Sequence, residues 1–196
     1  MKLHQLFAEN AAAHLQTVMA MAALTDHVDR AGQLAADCLA AGGKLLLCGN
    51  GGSASDAQHF AGELMGRFLA HREPYAAVAL TADTSVLTCV ANDYGYGDIF
   101  SRQVAGLGRA GDLLVAISTS GESESVLRAA RQARQGGLRV LGLTGRGGGR
   151  LAAECDIAIV VPSPNTARIQ EAHILVIHTL CELIEHRLRQ DGRASP

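Results

Sequence analysis

The chain has 196 residues, of which 48% are hydrophobic and 18% are charged, and this balance excludes a mainly disordered protein. Its formal net charge is −2 and its aromatic content is 4%. It therefore offers neither the positive field that attracts nucleic acids and anionic membranes nor aromatic platforms on which bases stack. No apolar run reaches about 18 residues, which excludes a membrane-spanning helix.

Residues 4–41 are predicted to form two helices at the start of the chain, because apolar residues recur there at helical spacing. The second helix follows Thr25 or Asp26, either of which is a good N-cap, and it stops at the glycine pair 42–43. The first helix is apolar over more than one face. It therefore packs either against a partner subunit or against its own domain, and the pattern leaves both open.

The rest of the chain alternates short, continuously apolar runs with longer helical patterns, which is typical of a doubly wound α/β domain. We therefore predict a five-stranded parallel sheet flanked by helices, in a single domain that spans residues 1–190 and precedes a disordered tail at residues 191–196. The predicted strands are residues 44–49, 75–80, 112–118, 138–144 and 156–161; the main predicted helices are residues 54–69, 122–135 and 166–189, with further helical segments between residues 84 and 107.

The N-terminal sequence has polar residues, such as Glu9, where a signal peptide needs an unbroken apolar segment. The five cysteines include no CxxC pair, which excludes a zinc knuckle and a thioredoxin-type redox pair. The sequence therefore predicts a cytoplasmic protein whose thiols are reduced.

A hydroxyl-rich loop follows the third predicted strand, with the sequence STSGES at residues 118–123. In parallel α/β sheets, ligands bind outside the carboxyl ends of the strands, and the N–H groups at the start of the next helix favour an anion. Four hydroxyls within six residues indicate a site for the phosphate ester of a small molecule. The alternative is helix capping by Ser120 or Ser123, which needs only one hydroxyl.

The first predicted strand ends in a glycine-rich turn, CGNGGS at residues 48–53, which has neither the lysine of a P-loop nor the GxGxxG pattern of dinucleotide sites. On the next helix, His59 and Glu63 lie four residues apart on one face. This spacing suits two ligands of a divalent metal, or simply a solvated pair. His178 lies within an apolar stretch of the last helix, either as a core histidine or pointing into a cavity.

The chain resembles a known family over residues 1–190, and four segments carry this resemblance. In chain order they are CGNGGSASDAQHFAGEL, ALTADTSVLTCVANDYGYGDIFSRQV, ISTSGESESVL and ARIQEAHILVIHTLCELIE. Together they resemble the sugar isomerase (SIS) domain family, with its flavodoxin-like sheet, and within it the bacterial phosphoheptose isomerases. The resemblance implies an aldose–ketose isomerase that converts sedoheptulose 7-phosphate to D-glycero-D-manno-heptose 7-phosphate, the first step of heptose supply for the lipopolysaccharide core. It also implies a cytoplasmic homotetramer with one zinc ion per subunit.

The resemblance also implies roles for individual residues. The zinc ligands are His59, Glu63, Gln170 and His178; the substrate contacts are Asn50, Gly51, Gly52, Glu63, Asn92, Asp93 and Gln170; and the phosphate contacts are Ser118, Thr119, Ser120 and Ser123. Isomerisation moves a proton between C1 and C2 of the sugar, so it needs a base and an acid. Glu63 is the candidate base and His178 is its acid/base partner. Because the last helix is far in sequence from the first turn, we expect a neighbouring chain to supply some residues of each site.

The main alternative is a SIS-family regulatory protein that associates with the replication initiator DnaA without catalysis. That relative shares the ARIQE stretch but lacks the carboxylate and the histidine that match Glu63 and His178, so their presence here favours the isomerase. One position departs from the isomerase pattern, because some isomerases have an aspartate three residues before the glutamine, where this chain has Ala167. A proton-transfer role of that aspartate therefore cannot be assigned to this chain. Asn165 is a nearby polar side chain that could substitute for it, but the sequence does not show that it does.

Overall fold

The computed structural model describes residues 5–190, in which five parallel strands form one sheet with helices on both faces. The strands are β1 (Leu45–Gly49), β2 (Ala77–Ala79), β3 (Leu113–Ser118), β4 (Arg139–Gly145) and β5 (Ile157–Val161). The helices are α1 (Leu6–Ala20), α2 (Thr25–Ala40), α3 (Gly52–Met65), α4 (Thr84–Tyr94), α5 (Ser101–Leu107), α6 (Glu124–Gln135), α7 (Gly149–Ala152) and α8 (Thr166–Gln190), with 3-10 turns at Met21–Leu24 and Tyr96–Asp98. The predicted helix start at residue 4 and the predicted tail at residues 191–196 lie outside the described residues. No helix in the described part of the chain is long and apolar enough to span a membrane.

The strands follow the order β2-β1-β3-β4-β5, so the predicted flavodoxin-like parallel sheet is confirmed. All five predicted strands are present, with ends within two residues of the prediction. β1 pairs with β2 on one side and with β3 on the other. The chain therefore reverses direction across the sheet after β2, and this reversal opens a crevice at the carboxyl ends of β1 and β3.

The strands direct alternate side chains into two buried layers, which explains why their sequences lack a polar alternation. Leu45, Leu47 and Val115 pack with α2, α3 and α8 on one face of the sheet. Leu46 and Leu114 pack with α4, α5 and α6 on the other face. Burying one such leucine side chain stabilises the fold by about 1.5–3 kcal/mol, so the sheet is a firm support for the loops at its edge.

The helix predicted at residues 54–69 has the right centre but the wrong ends, since α3 spans Gly52–Met65. The backbone amides of residues 68–70, which would continue the helix, donate instead to the carboxylate of Glu185 on α8. The helix therefore ends at the C-cap residue Gly66, and an acceptor about 115 residues away takes the amides beyond it.

The first helix packs along the start of α8 through polar contacts. His14 Nδ1 lies 2.8 Å from Glu171 Oε2, and the guanidinium of Arg168 donates to the carbonyl oxygen of Asn10 over 2.7 Å. Phe7, by contrast, is 84% exposed. α1 therefore covers part of its own domain and leaves apolar surface uncovered, and its contact with a partner subunit stays a prediction.

Candidate active site

Two loops meet at the crevice between the carboxyl ends of β1 and β3. The turn at Asn50 and Gly51 connects β1 to α3, and the serine loop, which we define as residues 118–123, connects β3 to α6. α6 begins at Glu124, two residues later than predicted. The Asn50 side chain links its turn to the start of α6, because its Nδ2 donates to Ser125 Oγ over 3.0 Å.

A cavity of 220 Å³ lies beside Asn50. Tyr96 contributes to its lining, and its hydroxyl donates to Asn50 Oδ1 over 2.7 Å. Periodicity does not mark this tyrosine as a site residue, because it lies in a glycine-rich turn. The cavity is smaller than the roughly 300–1,000 Å³ of most ligand pockets.

Three serine hydroxyls of the serine loop make hydrogen bonds within the loop. Ser118 Oγ donates to Ser123 Oγ over 3.2 Å and accepts the amide of Gly121 at 3.2 Å. Ser120 Oγ accepts the amide of Glu122 at 3.1 Å. Ser123 occupies the N-cap position of α6, but its side chain makes no capping hydrogen bond. Capping therefore does not explain Ser123, and the start of α6 keeps the partial positive charge that favours an anion.

The loop between β4 and α7 holds the serine loop in shape. Gly121 has φ 68° and lies directly against the backbone of Gly148, so no side chain fits at this position. The amide of Leu151 donates to the carbonyl oxygen of Gly121 over 3.0 Å. At the exposed rim, Arg150 Nε donates to Glu122 Oε2 over 2.6 Å, and this hydrogen bond lowers the pKa of the Glu122 carboxyl.

A second group of polar side chains lies between α3 and α8. His59 Nε2 is 3.2 Å from Glu63 Oε1 on the same helix and 3.0 Å from His178 Nε2 on α8. One ligand-type atom from each of the three residues lies within 4.8 Å of the other two. We call these three residues the donor cluster. His59 and Glu63 therefore form more than a solvated pair, because a third donor from 119 residues away joins them.

The donor cluster forms because α3 and α8 lie side by side on one face of the sheet and run in the same direction. Gly52 contacts Gln170 near the start of both helices, and His59 contacts His178 about two turns further along. The Gln170 amide fills the space that a side chain at Gly52 would need. Gln170 precedes His178 by eight residues, or about 12 Å of helix length along α8. Its role as a zinc ligand stays a prediction.

Two histidines of α8 have contrasting surroundings. His178 is half-buried, and its ring stacks on Phe68 with 5.4 Å between the ring centroids. His173 is fully buried, and its Nε2 lies 3.1 Å from the carbonyl oxygen of Thr144. Burial lowers the pKa of His173 to about 4. The core histidine of this helix is therefore His173, whereas His178 faces the donor cluster.

The chemistry of the donor cluster fits a zinc ion. Two imidazole nitrogens and one carboxylate oxygen are a common set of protein ligands for catalytic zinc, with a further position left for water or substrate. The side chains of His59 and Glu63 are 41% and 27% exposed, so a small molecule can reach them from solvent. The three residues thus combine suitable ligand atoms with access.

A buried carboxyl close to the cluster was missed from the sequence. Asp56 lies three residues before His59 on α3, it is 7% exposed, and its Oδ2 has no hydrogen-bond partner among the described residues. Burial raises its pKa to about 6. An aspartate on a mixed helix face carries no signal that separates it from an ordinary exposed one.

Asn165 has a local structural role close to Ala167, the position where some isomerases have an aspartate. Its Oδ1 accepts the amides of Ala167 and Arg168 at 2.9 and 3.4 Å. This side chain therefore caps α8, and its amide oxygen is already engaged.

Two predicted substrate residues, Asn92 and Asp93, make local hydrogen bonds on α4. They are exposed near the end of α4, where Asn92 Nδ2 donates to Asp93 Oδ1 over 2.8 Å. The contacts of the described residues join neither side chain to the serine loop or to the donor cluster. Their contact with substrate stays a prediction.

Comparisons with known proteins give consistent results. Residues 7–145 match the SIS domain family. The chain is 52% identical over 172 residues to phosphoheptose isomerase 1 of Campylobacter jejuni, with 88% of this chain and 92% of that protein covered. It is 53% identical over 165 residues to the phosphoheptose isomerase of Neisseria meningitidis, covering 83% and 84%. The solved structure of phosphoheptose isomerase GmhA from Neisseria gonorrhoeae matches with a TM-score of 0.90 and 46% identity, covering 94% of this chain and 100% of that chain.

Proposed function

This chain belongs to the SIS domain family and, within it, to the phosphoheptose isomerases, and from this premise we propose that it converts sedoheptulose 7-phosphate to D-glycero-D-manno-heptose 7-phosphate. The observation that carries this function is an identity of 52% to a phosphoheptose isomerase over 88% of this chain. The product is the heptose precursor of the lipopolysaccharide core. The alternative of a DnaA-associated regulatory protein receives no support from the comparisons.

The reaction moves one proton between C1 and C2 of the sugar through a cis-enediol. It requires a base to take the proton, an acid to return it, and stabilisation of the charge that develops on oxygen. Glu63 is the proposed base, and His178 is the proposed acid/base partner that carries protons between the sugar oxygens. Both side chains contact His59, so the two groups face a common point.

The donor cluster is the proposed zinc site, with one ion per subunit and with Gln170 as an expected fourth ligand. Bound zinc would polarise the sugar carbonyl as a Lewis acid. His59 has the simplest role, since it holds Glu63 and His178 together through contacts of 3.2 and 3.0 Å. Glu63 has two proposed roles, and ligation lowers the basicity of a carboxylate, so its roles as ligand and as base belong to different steps.

The serine loop is the proposed phosphate site. Ser118, Thr119, Ser120 and Ser123 supply hydroxyl donors, and the start of α6 supplies partial positive charge. Asn50, Gly51 and Gly52 of the neighbouring turn are proposed to contact the sugar together with Gln170, Asn92 and Asp93. Phosphate is held away from the reacting carbons, so this contact contributes mainly to binding.

We also expect a cytoplasmic homotetramer in which each site is shared between chains. Two observations support sharing: the small cavity beside Asn50 and the exposed apolar surface around Phe7 on α1. Charged substitutions on that surface, such as Phe7→Glu, should yield smaller assemblies with little turnover. A monomer that keeps full activity would exclude a shared site.

The direct test is to incubate the purified, zinc-loaded protein with sedoheptulose 7-phosphate in deuterated water and follow the sugar by NMR. The aldose should appear, with deuterium at the carbon that receives the proton. Glu63→Gln is the matched control, because it keeps the size of the side chain and removes the base. If the wild-type protein forms no aldose, or if the variant forms it at the wild-type rate, the proposed reaction or the role of Glu63 is wrong.

A further inference from the structure

The segment that follows α3 is fastened to α8 by one buried carboxylate. Glu185 accepts the backbone amides of Phe68, Leu69 and Ala70 at 3.1, 3.2 and 2.9 Å, and it accepts Arg72 Nε at 2.8 Å. It is 4% exposed. Burial by itself raises the pKa of this carboxyl, but the four hydrogen bonds outweigh burial and lower it below its usual value. Glu185 is therefore a fully satisfied anion inside the protein.

Arg72, the partner of Glu185, holds the end of α3. Its side chain is fully buried, and its guanidinium donates to the carbonyl oxygens of Glu63 and Leu64 at 2.9 Å each and to that of Gly66 at 3.4 Å. The last carbonyls of a helix lack partners within the helix, and a cation is favourable there. Arg72 thus ties the backbone of Glu63 to α8 through its ion pair.

The same segment also reaches the other side of the donor cluster. Phe68, whose amide is held by Glu185, stacks on the ring of His178 at a centroid distance of 5.4 Å and an interplanar angle of 25°. Glu185 lies seven residues after His178, which is two turns along the same face of α8. The ion pair is therefore connected to the donor cluster at two points. Arg72 binds the backbone of Glu63, and Phe68 stacks on the imidazole of His178.

We propose that Arg72 and Glu185 are positioning residues that set the distance and orientation of Glu63 and His178 across α3 and α8, with Phe68 transmitting the constraint to the imidazole. The proposal rests on the proposed isomerase site and adds residues that touch neither substrate nor metal. A buried ion pair contributes little stability compared with well-packed apolar side chains. The Arg72–Glu185 pair is connected to both Glu63 and His178, so we assign it the role of positioning these two side chains.

The test measures metal binding separately from turnover. Cobalt(II) is titrated into the metal-free protein, and its visible spectrum reports both occupancy and ligand geometry. Glu185→Gln keeps the shape of the side chain and removes its charge. We expect about 10- to 100-fold weaker cobalt binding, as is typical when a group that orients a ligand is removed. We also expect an altered spectrum and a lower kcat, with KM for the sugar phosphate little changed.

A matched control exists at the amino end of β3, the central strand of the sheet. Asp112 is a buried carboxylate that accepts Lys44 Nζ at 2.5 Å and the amides of Lys44 and Arg109 at 3.0 and 2.8 Å. It resembles Glu185 in its set of donors and lies at the amino end of β3. Asp112→Asn should therefore lower stability without changing the cobalt spectrum. Equal loss of cobalt binding in both variants would show a general effect of destabilisation and would overturn the proposal.

A second pair of variants decides the matter if Glu185→Gln does not fold. Phe68→Leu removes the ring against His178 and leaves the ion pair intact, whereas Phe68→Tyr keeps a ring. We expect Phe68→Leu to change the cobalt spectrum and lower kcat, and Phe68→Tyr to restore both. Unchanged spectra in Phe68→Leu would refute the proposal. Normal cobalt binding without isomerisation by the wild-type protein would instead refute the proposed function and leave the positioning role in place.

Discussion

The serine loop and the donor cluster are assembled in opposite ways. The serine loop takes its hydroxyls from a single run, residues 118–123, and the hydrogen bonds of Ser118 and Ser120 remain within the loop. The donor cluster joins His59 and Glu63 of α3 to His178 of α8, which is 119 residues from His59. A local turn therefore determines the first site, whereas the packing of two helices determines the second.

This difference separates two kinds of function. The serine loop needs only a strand end, a helix start and the close approach of Gly121 to Gly148 to fix its shape, which suits the binding of a phosphate. The donor cluster needs side chains placed to within fractions of an ångström, which suits proton transfer. Substitutions in the two regions should accordingly affect KM and kcat differently.

The largest effect is expected from His178→Asn in the donor cluster. Asparagine cannot take up and return a proton near neutral pH, whereas histidine has an ordinary pKa near 6.5. We expect kcat to fall by about 10²- to 10⁴-fold, as is typical when a general acid or base is lost. Bound zinc should also decrease, while the protein stays folded because His178 is only half-buried.

Turnover, zinc content and thermal unfolding together check this prediction. His27→Asn serves as a control, because His27 is exposed on α2. Wild-type turnover in His178→Asn would remove His178 from the mechanism. A large drop in the unfolding temperature without a selective loss of zinc would mean that the residue acts through the fold.

A smaller effect is expected from Ser120→Ala in the serine loop. A lost hydrogen bond to a charged group costs about 1.5–3 kcal/mol, so KM should rise by about 10- to 100-fold. The value of kcat should change less, since phosphate is bound similarly in the ground state and in the transition state. Steady-state kinetics beside Ser85→Ala, an exposed serine of α4, measures this split. A collapse of kcat at unchanged KM would contradict the assignment.

The sequence predicts the sheet well because burial on both faces produces continuous apolar runs, such as Leu45–Gly49. It does not predict the end of α3, since the amides of residues 68–70 are taken by Glu185, a residue distant in sequence. The spacing of apolar residues describes only the local preference of a segment for helix or strand. Long-range hydrogen bonds decide where a helix stops when they offer its amides a better acceptor.

The candidate site shows the same limit. The serine loop is recognisable because its hydroxyls are contiguous, and the spacing of His59 and Glu63 already suggests a shared helix face. On sequence grounds His178 could be a core residue or could point into a cavity, and only the packing of α3 against α8 places it beside His59. Tyr96 gave no signal at all, since its contact with Asn50 depends on the path of a glycine-rich turn.

The smallest effect on turnover is expected at His173, the buried histidine of α8. His173 has a pKa of about 4 in the folded protein because it is buried, compared with about 6.5 when exposed. As the pH falls below about 6.5, the unfolded chain binds a proton that the folded chain excludes. The contribution to stability is therefore complete above that pH and is lost progressively down to about pH 4.

His173→Gln removes this titration. Between about pH 7.5 and about pH 5, the wild-type free energy of unfolding should fall by about 2 kcal/mol more than that of the variant. Urea unfolding of both proteins in metal-free form measures the difference, because the other titrating groups are common to both and cancel. Turnover at neutral pH should change little, since His173 contacts Thr144 and not the donor cluster. Identical pH dependence in the two proteins would mean that His173 titrates normally in the fold.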